Sequence, residues 1–499
     1  MTQAQALASL ADRFAAAGAS PRREVLLLSL PISLTLAGQV IMAFVNNFMV
    51  ARELGTAATA AVVIPGLVAI AVTTLLGGVS SAVAHFAARC VGRGDPGSAG
   101  GYVWQGLYVS ALTLPIAAAL ASVAAPAFAA INRPGEGDLA ALQAEYFRIR
   151  VFGCVTAVGT MAVAAFFQGV GRPMVMLAPM LTSNLVNLIG NWLLIGGNLG
   201  CPRWELTGAA VATVFGSVFQ FCWLAGLLLT GPFARDFGTR RPPAPDAARL
   251  GELARVGLPT TAEKFVEFTG WGLFLAVIGY RFGKADLAAG TITLQWMSLS
   301  FMPVVGIALA VSGIVGRHLG RGRPDDAEVR VWTGLRMGMA YMTVMGAVFL
   351  LFGRELTGVF SADPEVIATG ARVLMCAAVF QWINPVMLVF AGALRGAGDT
   401  AGVARIMWLF NHGLFVPAAA ATAFLLPGWG SVGPWAVGSV YVVAISAAYW
   451  LRFRTGRWRT MRLMAEEAAP PPPEPAAPEE LPRPQPAAAP PGSAGRPSG

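Results

Sequence analysis

Residues 89–106 read RCVGRGDPGSAGGYVWQG, and residues 317–334 read RHLGRGRPDDAEVRVWTG. At this offset of 228, Arg89 pairs with Arg317, Gly92-Arg93-Gly94 with Gly320-Arg321-Gly322, and Trp104 and Gly106 with Trp332 and Gly334. The register extends upstream, where Leu30-Pro31 matches Leu258-Pro259. Downstream it slips by one: Gly169 and Gly171 match Gly396 and Gly398, and Asn184 matches Asn411. One such pair could arise by chance, but an ordered series identifies an internal duplication, so the fold is read as two copies of one unit.

Each copy is almost entirely apolar. The 499-residue chain is 56% hydrophobic and 12% charged, against about a quarter charged in ordinary soluble domains. A bilayer-spanning helix needs about 20 mostly apolar residues. That ruler gives twelve spans, near 25–50, 58–83, 102–125, 146–168, 174–197, 206–231, 256–280, 288–315, 332–353, 367–391, 402–426 and 432–451. Six spans per copy is an even number, so both copies enter the membrane in the same sense. The expected fold is all-α and integral to the membrane, with two six-helix bundles related by a pseudo-twofold axis along the membrane normal. Two bundles facing each other across a cleft is transporter architecture. The corresponding domains are a cytoplasmic segment 1–21, an N-lobe 22–231, an inter-lobe linker 232–255, a C-lobe 256–464 and a tail 465–499.

The net charge of +9 comes from 33 arginines and two lysines, Lys264 and Lys284, against 26 acids. A nucleic-acid surface would gather these cations on one folded face. Here they recur after every second span, at Arg22 and Arg23, Arg89 and Arg93, Arg235, Arg240 and Arg241, Arg317, Arg321 and Arg323, and Arg452 and Arg454. With the amino terminus inside, 22 cations fall in or beside cytoplasmic loops and 6 in outer loops. That bias places both termini in the cytoplasm, with no nucleic acid as partner. Residues 1–21 lack a cleavage site after an apolar core, so they read as a short cytoplasmic helix and not a signal peptide. The tail from 465 is rich in Pro, Ala and Glu and has too few large apolar residues for a core. Dominance of Ala, Gly, Pro and Arg over Lys suits a high-GC bacterium, hence the bacterial cytoplasmic (inner) membrane.

With the repeat and the spans in hand, residues 22–455 resemble the multidrug and toxic compound extrusion (MATE) transporters. The carriers are the Leu-Pro opening of each half, the turn Gly92-Arg-Gly-Asp95, Gly208-Ala-Ala-Val-Ala-Thr213, and Glu267 eight residues beyond Pro259. The stretch 306–322 and Leu394-Arg-Gly-Ala-Gly-Asp-Thr400 complete the set. The resemblance implies a V-shaped twelve-helix exporter of small molecules, worked by alternating access and driven by H+ or Na+. That ion is the only cofactor implied.

Ionisable groups inside hydrocarbon are expensive and are functional candidates by default. Glu267 lies about 18 Å from Arg255 at the inner face, near the midplane. Desolvation there favours the neutral acid, which suits proton uptake; binding a cation would instead keep the carboxylate charged. Glu263 and Lys264 share its side of the helix, so Lys264 can pair with either glutamate or extend toward water. The family commonly carries aspartates in the first and tenth spans; this chain has Asn46 and Asn384, which keep an acceptor oxygen but cannot titrate. Ion coupling is therefore assigned to Glu267 with Asn384 as a neutral neighbour. An N-lobe polar pocket is expected from Asn46, Asn187, Asn191 and Thr213.

Trp271, Phe274, Trp296, Met297 and Phe301, with Met302, form a stripe suited to flat hydrophobic or cationic compounds, though such stripes more often pack helices. The three histidines, His85, His318 and His412, are scattered and make no relay. Five single cysteines lack metal or disulfide spacing. Residues 92–101 lack the ending of a phosphate loop, and no catalytic constellation is present, so the chain does not read as an enzyme. A flippase for lipid-linked saccharides is the competing reading. For anionic headgroups it would need several cations in the cleft, and only Lys264 reads as lying well within a span. The expected partners are a small-molecule substrate and membrane lipid, with the chain acting as a monomer.

Overall fold

A computed structural model describes residues 20–132 and 137–464. The expected helix within 1–21 and the tail 465–499 fall almost wholly outside the described residues. Among the described residues all regular structure is helical, as it must be where lipid offers no partner for a backbone N–H or C=O. Six helices belong to the first half: α1 (Pro21–Leu54), α2 (Ile64–Gly92), α3 (Pro96–Ile131), α4 (Leu139–Gly169), α5 (Pro173–Gly196) and α6 (Glu205–Leu229). The second half supplies α7 (Ala247–Phe282), α8 (Lys284–Gly320), α9 (Pro324–Leu351), α10 (Pro364–Ala397), α11 (Thr400–Leu425) and α12 (Val432–Arg454).

Eleven of these are long and apolar enough to cross a bilayer by composition alone. The twelfth, α7, has the length, at 36 residues, but carries Glu263, Lys264 and Glu267 in its middle. It starts nine residues earlier than the expected span because Asp246 caps it, accepting from the N–H groups of Ala248 (2.9 Å) and Arg249 (3.4 Å). The inter-lobe linker is accordingly shorter than 232–255, and its start holds a short helix, Gly231–Asp236. Helical backbone runs without a break from Pro21 to Ser81, a length that would span about 90 Å if straight. Yet Glu24 lies 3.8 Å from Arg317, and the Arg317 carbonyl is packed against Gly92. The chain therefore reverses between α1 and α2, as two spans require.

Within the first half α4 packs on α3, on α6 and on the α1–α2 pair, and α5 packs on α6; within the second, α10 packs on α8, α9 and α12, and α7 on α11. The halves meet through their first two helices in a pattern that repeats the sequence register. Ser33 of α1 donates to the Pro303 carbonyl of α8 at 3.1 Å, and Thr261 of α7 donates to the Leu75 carbonyl of α2 at 3.4 Å. Each residue in one bond lies 228 positions from its counterpart in the other, so the two contacts are one contact related by the pseudo-twofold axis. Beside them Gly306 faces Ser33 and Gly78 faces Thr261 so closely that any Cβ would overlap the partner. Small residues of this kind let helices approach in lipid. Gly306→Ala and Gly78→Ala should each cost about 1–3 kcal/mol by overpacking, measured as a lower unfolding midpoint of the purified protein. Gly226→Ala, with open space beside it, should leave the midpoint unchanged.

The turns that follow α2 and α8 also repeat. Gly94 and Gly322, 228 apart, both adopt positive φ (+80° and +70°), a conformation glycine takes without penalty. Asp95 then caps α3, its Oδ1 accepting from the Ser98 N–H at 3.0 Å. The hydrogen bonds from Ser98 hold this loop carboxyl below the usual aspartate range. Arg323 occupies the corresponding place before α9 and provides no such side-chain cap.

Candidate functional site

The C-lobe site begins with the register of α7. Glu263 and Glu267 are one turn apart and Lys264 lies between them, so three charges project from neighbouring positions of one helix. They do not pair alike. Lys264 Nζ lies 2.7 Å from Glu267 Oε2, and both side chains keep partial exposure (47% and 34%). Glu263, its side chain only 3% exposed, turns the other way and accepts from Arg395 Nη1 of α10 at 2.8 Å. Two acids and two bases thus form two ion pairs, a partly exposed one within α7 and a buried one between helices. Glu263 Oε2 is buried without a hydrogen-bond partner.

Further groups from α11 and α12 close the C-lobe around α7. The helix of α11 widens to a π turn at Asn411–Phe415, a local departure often found at functional sites. Gly270 of α7 sits against the Asn411 side chain, and Asn411 Nδ2 donates to the Tyr441 hydroxyl at 3.4 Å. His412 Nε2 is 3.3 Å from Thr269 Oγ1, two residues beyond Glu267. In the N-lobe Asn184, the repeat partner of Asn411, donates to the Gly38 carbonyl of α1 at 3.3 Å. The same residue type thus meets the first helix of each half, by a hydrogen bond at Asn184 and by packing at Asn411, whose own hydrogen bond goes to α12.

The N-lobe residues singled out from sequence are brought together in part. Asn191 Nδ2 donates to Asn46 Oδ1 at 2.7 Å and to Asn187 Oδ1 at 3.2 Å, linking α1 to α5. Asn191 Oδ1 is buried and unpartnered. Thr213 spends its hydroxyl on the Ala209 carbonyl of its own helix at 2.8 Å. The asparagine cluster is neutral, so it can orient water or a polar ligand but cannot exchange a proton.

Asn384 is 2% exposed with Nδ2 lacking a partner, while Glu267's hydrogen bond goes to Lys264; the described contacts include no bond between Glu267 and Asn384. Phe274 and Met297 are 0% and 1% exposed and give a ligand no surface in this conformation. Phe274 stacks on Phe415 (5.0 Å between centroids), and Trp271 and Trp435 meet the same group edge-on or tilted. The stripe is largely the packing of the C-lobe core. Trp296 donates its Nε1–H to the Leu356 carbonyl at 2.9 Å and meets Phe360; Phe301 is partly buried against the same core. Sequence reading missed Arg395 as a site residue, naming it only within the stretch Leu394–Thr400. Its one signal was a lone arginine flanked by Leu394 and Gly396 in an apolar run.

The MatE family model matches the chain twice, over residues 31–193 and 259–419, two segments whose starts lie 228 apart as in the internal repeat. A probable multidrug resistance protein NorM of Chromobacterium violaceum is 30% identical over 454 residues, covering 88% of this chain and 95% of its own. The multidrug resistance protein PmpM of Pseudomonas aeruginosa is 29% identical, over 78% of this chain and 81% of its own. Among solved structures, a MATE crystal structure in complex with MaL6 superposes with a TM-score of 0.78 at 18% identity, covering 89% of this chain and 98% of its own. An outward-facing MATE transporter of the MOP superfamily gives 0.77 at 18%, with the same coverage. Two matches in the register of the repeat, on a twelve-helix membrane fold of the same architecture, establish that this chain belongs to the MatE family.

Proposed function

We propose that this protein is a secondary active exporter of small hydrophobic or cationic compounds, sited in the bacterial cytoplasmic membrane with both termini inside. The observation that carries the reading is the Glu267–Lys264 pair, a partly accessible charge pair in the middle of a membrane helix where ionised groups are otherwise avoided. Relatives named for multidrug resistance support the substrate class.

In this mechanism the two bundles rock about the paired contacts of α1 with α8 and α2 with α7. The ion acts at Glu267. A proton or sodium ion arriving there must take the place of the Lys264 ammonium, and the freed lysine then favours a different helix arrangement. Only such differential binding can shift the balance between inward and outward states. With a single accessible acid and asparagines at the other two positions, H+ is the favoured coupling ion. The buried Glu263–Arg395 pair fixes α7 against α10 and holds the titrating face in place.

Export of rhodamine 6G from proteoliposomes, under an imposed pH gradient and then a sodium gradient, tests the reading. Uphill movement under the pH gradient alone is expected. Movement under sodium alone would reassign the ion, and movement under neither would overturn the exporter.

A further inference from the structure

Besides Lys264, a cation enters the N-lobe at Arg150. It lies on α4, eleven residues past the helix start at Leu139 and four residues inside the expected span 146–168. Arg148 and Phe152, two residues to either side, are exposed. At 100° per residue both stand about 160° away from Arg150 on the helix surface, so Arg150 faces the interior of the N-lobe.

There it lines a cavity of about 160 Å³ with Thr73 and Thr74 of α2, Cys154 of α4 and Ser217 of α6. Arg150 Nε is buried without a hydrogen-bond partner, and among the described residues no acid pairs with it. Lys264 and Arg395, by contrast, each have a glutamate. The hydroxyls of Thr73 and Ser217 are already turned onto backbone carbonyls, Ala69 and Thr213. The guanidinium Nε is therefore an unspent donor of the cavity, with the Thr74 hydroxyl beside it. A guanidinium nitrogen buried without a partner calls for an acceptor, best an anionic one. The cavity is also smaller than the roughly 300–1,000 Å³ of a whole drug site, so it fits one end group of a larger molecule.

We propose that Arg150 forms an anion subsite that receives the carboxylate of an exported compound, so that zwitterionic amphiphiles are preferred over their esters. Gly216, the neighbour of Ser217 on α6, packs against Asn187, and this places the subsite near the asparagine-bearing part of the N-lobe. The proposal rests on the export reading for its cargo but not for its test, because binding requires no gradient.

The test uses detergent-purified protein and two dyes with one chromophore: rhodamine 19, which carries a free carboxyl, and rhodamine 6G, its ethyl ester. Fluorescence polarisation should give wild-type protein about tenfold tighter binding of the acid, the scale of a charge-assisted bidentate contact. Arg150→Gln should abolish that preference and leave the ester within twofold of wild type, while Arg150→Lys retains part of it. The idea is overturned if wild type does not prefer the acid, or if Arg150→Gln weakens both dyes alike, the mark of a structural role. Failure of gradient-driven export with the binding preference intact would count against the exporter reading and not against the subsite.

Discussion

Arg395→Ala is expected to be the most destabilising single change in the C-lobe. The guanidinium and Glu263 are 2.8 Å apart with side chains 13% and 3% exposed, and they join α7 to α10. Removing one partner of a buried pair leaves the other charged, desolvated and alone, a loss of about 3–5 kcal/mol. The expected readout is a thermal midpoint lowered by about 5 °C or more in detergent, together with reduced yield of monodisperse protein. The double variant Glu263→Gln/Arg395→Gln removes both charges, so it should recover much of the loss. If the single and double variants melt alike, the pair does not hold the helices together. Lys264→Met offers a contrast, since its pair lies within one helix and joins no two helices.

The second large effect concerns transport. Glu267→Gln keeps the size and hydrogen-bonding capacity of the side chain but cannot change charge. Gradient-driven uphill export in proteoliposomes should fall by roughly tenfold or more, because an ion that binds neither state selectively shifts nothing. Binding of rhodamine 6G in detergent should persist. Lys264→Met makes the complementary prediction: with its tethered ammonium gone, Glu267 should bind the coupling cation more tightly. Uphill export by Glu267→Gln at the wild-type rate would remove Glu267 from the coupling step, whatever the fate of the Lys264 variant.

Both effects arise from residues legible in the sequence to different degrees. Glu267 stood out because an acid in an apolar span is costly whatever its neighbours are. Its partner was left open, since Lys264 can reach either glutamate from its place on the helix. The choice was made by Arg395, 132 residues from Glu263, which claims Glu263 and leaves Lys264 to Glu267. The asparagines behaved similarly. Asn187 and Asn191 share a helix face by spacing alone, but only the approach of α1 brings Asn46 to 2.7 Å from Asn191. Phe274 and Met297 carry the composition of a greasy ligand wall, and no sequence pattern separates that from a core packed around Phe415 and Trp435.

Sequence by itself determined the membrane environment, the twelve spans, the duplication and the symmetry that follows from six spans per copy. These depend on hydrophobicity summed over about 20 residues and on a register of 228, both local or periodic properties that survive without coordinates. Tertiary structure alone decided which charges pair, which aromatic rings are buried, and that Arg150 faces the inside of its bundle without a counterion. Those outcomes turn on distances of a few ångströms between helices far apart in the chain, where a rotation of one helix by a single residue exchanges buried and exposed positions.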